Sequence, residues 1–469
     1  MIGLNETTRR GIDLEILGEE HRIDREIERS ETHMPYSEKG EHEAEVPRDR
    51  TEGETSKLQF RGRVDNNGCL ILPEEVRTKL GFTPGAPIDL IPDLGHFKIL
   101  PNIHSLARIY IEPTTRCNLN CRMCIRNTWS ESLGDMDPEV FEKLVGQLSR
   151  FEHLDSVMFG GFGEPTLHKD ILHMIGRVTS LGLKAEIVTN GTLLDEAMLT
   201  HLMECRLDTL WVSFDGAAET SFQDIREGAS FNTIVNSLKL LKKMNHDSRH
   251  PIEIGIAFVV MRRNIDDLRH LNRFAHSVGA KRVSVSNVLP YSEEMEKEIL
   301  FAWVQNLENF VYWPGRMNID LPRIDFTNTT KEALFKLLNE CANISIAGNR
   351  ISRGAGRCRF IDDRCTFIKW DGTVSPCMGL LHSYKTYLNS CERTIRCHSM
   401  GEISPQDLWD IWNSTEYTDF RERVRSFEFS PCHVCGGCSL MEKNEEDCYE
   451  SGFPACGGCL WAHGIIQCP

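Results

Sequence analysis

At 469 residues the chain is long enough for roughly two to four domains, and 40% hydrophobic residues supply cores of ordinary size. A formal net charge of -16 argues against bulk nucleic-acid binding, which wants a basic surface. No apolar run is long enough to span a bilayer and the N-terminus lacks a secretory apolar core, so a cytoplasmic protein is expected. Its 18 cysteines therefore point to metal or redox chemistry rather than to a disulfide scaffold.

Residues 1–56 are rich in Glu, Arg, Asp, His and Thr with little apolar periodicity, and read as a flexible charged tail with at most a helical piece at 13–29. Residues 57–101 change character. Strand-like Phe60–Val64, the turn Asp65-Asn66-Asn67-Gly68 and a second strand at Cys69–Leu72 lead into a helix opened by Pro73 and closed by Gly81. A further strand is expected at Ile88–Ile91. This order resembles the AbrB-type swapped-hairpin module, which implies a homodimer. Six basic side chains face five acids there, so docking or dimer formation is expected rather than DNA binding.

Over residues 102–291 strands alternate with amphipathic helices. The strands are expected at Arg108–Glu112, Ser156–Phe159, Lys184–Thr189, Thr209–Phe214, Glu253–Val260 and Arg282–Val288. Helices are expected at Pro138–Leu148, Lys169–Leu181, Asp195–Cys205, Phe231–Met244 and Ile265–Val278. Six such units predict an α/β fold, a parallel sheet curved into a partial (β/α)6 TIM-type barrel, with function at the C-terminal strand ends. Residues 292–340, with a helical stretch and the aromatic run Phe310–Trp313, read as a bridge. Residues 341–469 form a cysteine-rich C-terminal domain.

Directly after the first strand come Cys117, Cys121 and Cys124, spaced C-x3-C-x2-C. Iron–sulfur clusters normally take four thiolates, so three with no fourth nearby leave one iron of a [4Fe–4S] cube open to a ligand. The alternatives are a zinc knuckle or buried free thiols. The second strand ends in Gly160-Gly161-Phe162-Gly163-Glu164-Pro165, where glycines permit close backbone approach to a ligand and Glu164 offers acceptors to an ammonium. Asn190 closes the third strand, and Ser213 and Asp215 the fourth, although Asn-Gly and Asp-Gly are also ordinary turn chemistry.

Together the three cysteines, the run Tyr110–Arg116 before them and Met123 resemble the radical SAM superfamily. That resemblance implies that the open iron holds the amino and carboxylate groups of S-adenosylmethionine. It further implies that Gly160–Pro165 binds the methionyl amino group and that Asn190, Ser213 and Asp215 line the cosubstrate site. Arg226 would lie near the carboxylate and Met123 against the adenine, with Asn264 a fainter candidate and Glu112 and Asp215 in reserve for substrate-side proton work. Reductive cleavage to a 5′-deoxyadenosyl radical is the implied chemistry, fed by a low-potential donor such as ferredoxin or flavodoxin.

The C-terminal hairpin Trp370–Cys377, with its G-x4-C spacing, resembles the SPASM extension of that superfamily, which holds two auxiliary [4Fe–4S] clusters. By this resemblance Cys358, Cys365 and Cys377 belong to the first auxiliary cluster, and Cys432, Cys435 and Cys468 to the second. The spacing departs from the family's C-x2-C-x5-C-x3-C, which leaves the remaining ligands open among Cys438, Cys448, Cys456 and Cys459; zinc is the alternative occupant. Cys69, Cys205 and Cys341 read as core residues. The front module, Cys124–Trp129 and the ending CGGCLWAHGIIQCP look most like radical SAM maturases of tungsten-cofactor oxidoreductases of the aldehyde:ferredoxin type. That implies a tungsten oxidoreductase or its pterin cofactor as target. The rivals are a SPASM enzyme modifying another peptide or protein, and an iron–sulfur redox-sensing DNA-binding regulator.

Overall fold

Runs rich in β-branched and aromatic residues build six parallel strands where the alternation of strand and helix patterns put them. They are β1 (Arg108–Ile111), β2 (Ser156–Phe159), β3 (Lys184–Thr189), β4 (Thr209–Ser213), β5 (Glu253–Val260) and β6 (Arg282–Asn287), hydrogen-bonded in sequence order. The computed structural model describes residues 14–15, 63–65, 69–85, 88–93, 96–129, 131–301, 318–321, 343–346, 349–350, 358–388, 390–430, 432 and 439–469.

Between the strands lie α1 (Pro138–Val145), α2 (Ile171–Ser180), α3 (Glu196–Glu204), α4 (Glu219–Ile225), α5 (Phe231–His246) and α6 (Leu268–Val278). Local chemistry sets their ends. Asp137 caps α1 by accepting from Glu139 N at 2.7 Å, with Pro138 in the first turn, and Asp195 caps α3 by accepting from Met198 N at 2.8 Å. Gly279, at φ +81°, stops α6 in the left-handed conformation that glycine adopts without strain. The short α4 was not expected, because seven residues carry too little periodicity to register. The apolar faces meet in one core, in which Phe214 packs against Phe222 and Phe274 with ring centroids 4.5 Å apart.

The described residues up to 80 and those of 88–100 form one compact unit, and the described residues of 81–87 and from 101 onward another. In the first, Arg63–Val64 pairs antiparallel with Leu70–Ile71, helix Glu74–Leu80 follows, and Leu90–Asp93 forms a hairpin with His96–Ile99. Leu14–Glu15 lies parallel to His96–Ile99, so at those two residues the expected helical or flexible tail is replaced by a strand. An open sheet edge satisfies backbone groups that local composition leaves unpaired. The rest of residues 1–56, the turn Asn66–Gly68, most of the 292–340 bridge, Cys341, Cys435 and Cys438 lie outside the described residues.

The cysteine-rich region shares the barrel's sheet. Strand β7 (Cys365–Ile368) pairs in parallel with β1, Cys365 opposite Arg108 and Ile368 opposite Ile111. Then β8 (Thr373–Ser375) and β9 (Gly401–Glu402) extend the sheet antiparallel, giving nine strands. At the opposite edge, Asn287 Nδ2 donates to Ile465 O at 2.9 Å and Gln467 Nε2 to Val285 O at 2.6 Å. The C-terminal region therefore contacts both free edges of the six-stranded arc. Tyr417 Oη to Thr366 Oγ1 (2.9 Å) and Trp412 Nε1 to His104 O (2.8 Å) add buried polar ties. Among the described residues no helix is long and apolar enough to cross a membrane.

Phe214 is fully buried, so Phe214→Ala removes an aromatic ring from the centre of this core. It is expected to destabilise the fold by about 3–5 kcal/mol, read as an earlier midpoint in chemical denaturation of the apoprotein.

Candidate active site

The three cysteines sit on the loop that leaves β1, and that loop is tied down before any ligand is considered. Cys121 O accepts from Cys124 N at 3.0 Å and from Asn127 Nδ2 at 2.9 Å, and Arg122 N donates to Ile225 O at 3.1 Å, strapping the loop to the end of α4. Cys121 is buried, while Cys117 and Cys124 are partly open to a cavity of about 320 Å³ at the C-terminal ends of the strands. Burial pushes the Cys121 thiol up to about 11, the Arg226 guanidinium opposing and Cys124, Asp215 and Cys117 reinforcing it. Three thiols that line one cavity fit the donor set of an iron cluster.

The glycine-rich loop closes the opposite wall. Gly163 carries no Cβ because one would fall 2.0 Å from Thr114 O, and Gly161 at φ +119° would drive a Cβ to 2.6 Å from Glu112 Cγ. Glu164 N donates to Arg116 O at 2.7 Å, joining this loop to the cysteine loop. The Glu164 carboxylate, buried, accepts from Thr166 N (3.0 Å), Thr166 Oγ1 (2.5 Å), Thr189 Oγ1 (2.6 Å) and Asn190 N (2.6 Å). Glu164 was expected to accept from an ammonium. Its Oε1 accepts three of these bonds and its Oε2 one, and Glu164 lines the cavity beside the glycine-rich backbone.

Of the expected cosubstrate residues, Met123, Gly160, Gly161, Phe162, Gly163, Glu164, Asn190, Ser213 and Arg226 all line the cavity with the three cysteines. Asn190 Nδ2 stands 3.8 Å from Cys117 Sγ, and Arg226 Nη1 4.0 Å from Cys121 Sγ. Two residues fall elsewhere. Pro165 is buried at the start of a 3-10 turn outside the wall. Asp215, fully buried behind the cavity, accepts from Val259 N at 2.7 Å and stands 2.7 Å from Arg226 Nη2, a charge contact rather than an aligned hydrogen bond. Burial pushes the Asp215 carboxyl up and Arg226 opposes it, so Asp215 serves as counter-ion to a wall residue instead of being one. Asn264 holds Asp215 O and Val259 O, both at 2.9 Å, a backbone role.

The auxiliary cysteines divide differently from the expectation. Cys358, Cys377, Cys456 and Cys459 line a second, tighter cavity of about 40 Å³. Burial drives all four thiols up, Cys358 to about 12, with Cys459 adding to that rise. Cys365 lies inside β7, outside that wall, its thiol 3.5 Å from Asp363 O. Cys468 lines the first cavity rather than accompanying Cys432. Cys432 neighbours Cys448, whose Sγ is 3.0 Å from Ser430 Oγ. Among the described residues no three His, Cys, Asp or Glu side chains converge on a single ion, whereas the thiolates of a cube each hold a different iron.

Sequence reasoning missed several residues. Arg393 is buried with no carboxylate partner among the described residues; it donates to Met441 O at 2.7 Å and to Gly458 O at 2.8 Å on the wall of the tighter cavity. Glu112, expected only as a reserve, is bonded through Oε2 to His382 Nε2 at 2.8 Å. A lone arginine or histidine in a cysteine-rich stretch gives no sequence signal.

Comparison with known proteins bears on this arrangement. Residues 111–275 match the model of the radical SAM superfamily, and residues 358–439 that of an iron–sulfur cluster-binding domain, SPASM. The chain is 30% identical over 368 residues to the tungsten-containing aldehyde ferredoxin oxidoreductase cofactor-modifying protein of Pyrococcus furiosus, covering 77% of this chain and 96% of that one. It is 30% identical to Fe-coproporphyrin III synthase of Methanosarcina barkeri, over 33% of this chain and 37% of the relative. It is 27% identical to PqqA peptide cyclase of Granulibacter bethesdensis, over 38% and 46% respectively. The three-cysteine loop beneath an open cavity and a likeness that runs the length of the first relative thus have one explanation: the chain belongs to the radical SAM superfamily, as a SPASM-containing enzyme that works with iron–sulfur clusters and S-adenosylmethionine.

Proposed function

We propose that this enzyme matures a tungsten oxidoreductase of the aldehyde:ferredoxin type, acting on its pterin cofactor or on the protein that carries it. The observation that carries the reading is the likeness to the Pyrococcus furiosus protein, which spans both the barrel and the cysteine-rich region. A likeness confined to the barrel would speak only for the shared chemistry.

Cys117, Cys121 and Cys124 are the proposed ligands of the catalytic cluster. Bound together, the cluster and S-adenosylmethionine supply reductive cleavage of the sulfonium and a 5′-deoxyadenosyl radical. The chain's own residues position and enclose. Arg226, held charged by Asp215, places a cation beside Cys121 and suits the methionyl carboxylate. Asn190 and Ser213 offer short polar groups to the ribose and amino acid portions, and the backbone of Gly160–Gly163 faces the ammonium.

Cys358, Cys377, Cys456 and Cys459 are the proposed ligands of one auxiliary cluster. What supports this is Arg393: a buried guanidinium needs a counter-charge, and four thiolates in the cavity beside it supply one. Cys432 and Cys448, with Cys435 and Cys438, are the proposed ligands of a second.

An oxidoreductase produced without this protein should lack aldehyde oxidation. Incubation with the reconstituted protein, S-adenosylmethionine and a low-potential reductant such as reduced ferredoxin should restore it; full activity in its absence rules the role out. Cys121→Ala should bring 5′-deoxyadenosine formation to background in an anaerobic assay, and retained cleavage would remove the catalytic assignment. Reconstituted protein should hold about twelve irons per chain. Cys459→Ala should lose about four of them while still cleaving S-adenosylmethionine; an undiminished iron count would refute the auxiliary assignment.

A further inference from the structure

A chain of charged side chains crosses from the C-terminal region into the cavity wall, and neither cluster assignment uses it. His382 is fully buried, with both ring nitrogens on carboxylates: Nε2 to Glu112 Oε2 at 2.8 Å and Nδ1 to Glu131 Oε2 at 2.7 Å. A carboxylate oxygen faces each ring nitrogen, an arrangement that suits an imidazolium with its two N–H donors. Glu131 also accepts from Ser383 N at 2.9 Å and from Lys369 Nζ at 3.1 Å, and Lys369 stands 3.4 Å from Asp371. Trp129 and Phe162 flank the imidazole with ring centroids at 4.4 and 5.6 Å.

What His382 joins is the point. Glu112 directly follows β1 on the way to the three cysteines, and its Oε1 accepts from Phe162 N, within the glycine-rich loop, at 3.0 Å. Trp129 and Glu131 belong to the segment that follows Cys124, and Phe162 to the loop itself. The end of the first strand, the glycine-rich loop and the segment after Cys124 therefore meet on one side chain donated by the distant cysteine-rich region. Removing the ring's charge costs one of its two donors and leaves a buried carboxylate short of a partner.

We propose that His382 is a positioning residue for S-adenosylmethionine: its protonated ring, held between Glu112 and Glu131, sets the glycine-rich loop for the cosubstrate. This rests on the reading of the first cavity as the cosubstrate site. Burial alone draws the imidazole down, but its bonds to Glu112 and Glu131 outweigh that and hold it above its ordinary 6.5. Glu131 is held down at about 2, its bonds to His382, Ser383 and Lys369 outweighing burial, so it stays ionised throughout the working range. A raised histidine contributes its full effect below its unfolded value and loses it as pH rises through the folded one. Cosubstrate affinity should thus carry an alkaline limb that belongs to His382.

The test is calorimetric binding of S-adenosylmethionine to the reconstituted, unreduced protein as the pH is raised from 6.5. Comparison of variants is needed because the cosubstrate's own amino group titrates at about 7.7–8.0. His382→Gln, which keeps a donor nitrogen toward only one of the two carboxylates and no charge, should bind about tenfold more weakly near neutral pH, the cost of one charge-assisted bond. It should retain its iron and lose the alkaline limb seen in the wild type. Glu131 is partly exposed, so Glu131→Gln keeps the fold and should move that limb to lower pH with a smaller loss of affinity. Wild-type affinity and pH profile in His382→Gln would overturn the proposal, as would an unmoved limb in Glu131→Gln should the first variant fail to fold. Absence of binding by the wild type itself would overturn the cosubstrate reading beneath it.

Discussion

One buried carboxylate fixes the geometry on which the site depends. Glu164 gathers four donors from Thr166, Thr189 and Asn190, while its own backbone N–H bonds to Arg116 on the cysteine loop. Hydrogen bonds to an ionised acceptor are shorter and roughly twice as strong as neutral ones, and inside a barrel no water competes for them. The ends of β2 and β3 and the loop after β1 are therefore welded into one wall. Cys117 faces Asn190 across that wall because Asn190 N is already held by the same carboxylate.

A six-stranded arc is an incomplete barrel with two open edges, and its lumen would otherwise be wet. The cysteine-rich region resolves this by placing β7 on β1 and binding residues 465–467 to β6. One consequence is that Tyr110 of the first strand and Trp461 and Cys468 of the C-terminal stretch share the cavity wall. Another is that His382 can reach Glu112 and the glycine-rich loop. Such enclosure suits radical chemistry, in which exclusion of water prevents side reactions.

Burial also governs where charge sits. Arg226 is kept ionised by Asp215 behind it, which turns the fourth-strand Asp into support and leaves Ser213 as the strand's contribution to the wall. Arg393 has no such carboxylate among the described residues, and its fixed position over Gly458, where a Cβ would fall 2.1 Å from Arg393 Nη2, sets it against the thiols of the tighter cavity. In both cases an arginine that composition would place on the surface is buried beside cysteines.

The period-two and period-3.6 patterns determined the six strands and five of the six helices, because each element buries a face that its own sequence marks. Cys117, Cys121 and Cys124 were equally plain, since three thiols at short spacing after a strand are brought together by local geometry alone. Grouping of the distant cysteines was decided only by the tertiary structure. Cys358 and Cys377 join Cys456 and Cys459 across nearly eighty residues, Cys365 is claimed by a strand, and Cys468 turns to the barrel. The same holds for Asp215 and His382, whose partners lie on other elements. Spacing constrains residues only a few positions apart; beyond that, which side chains meet is set by how the sheet's edges are closed.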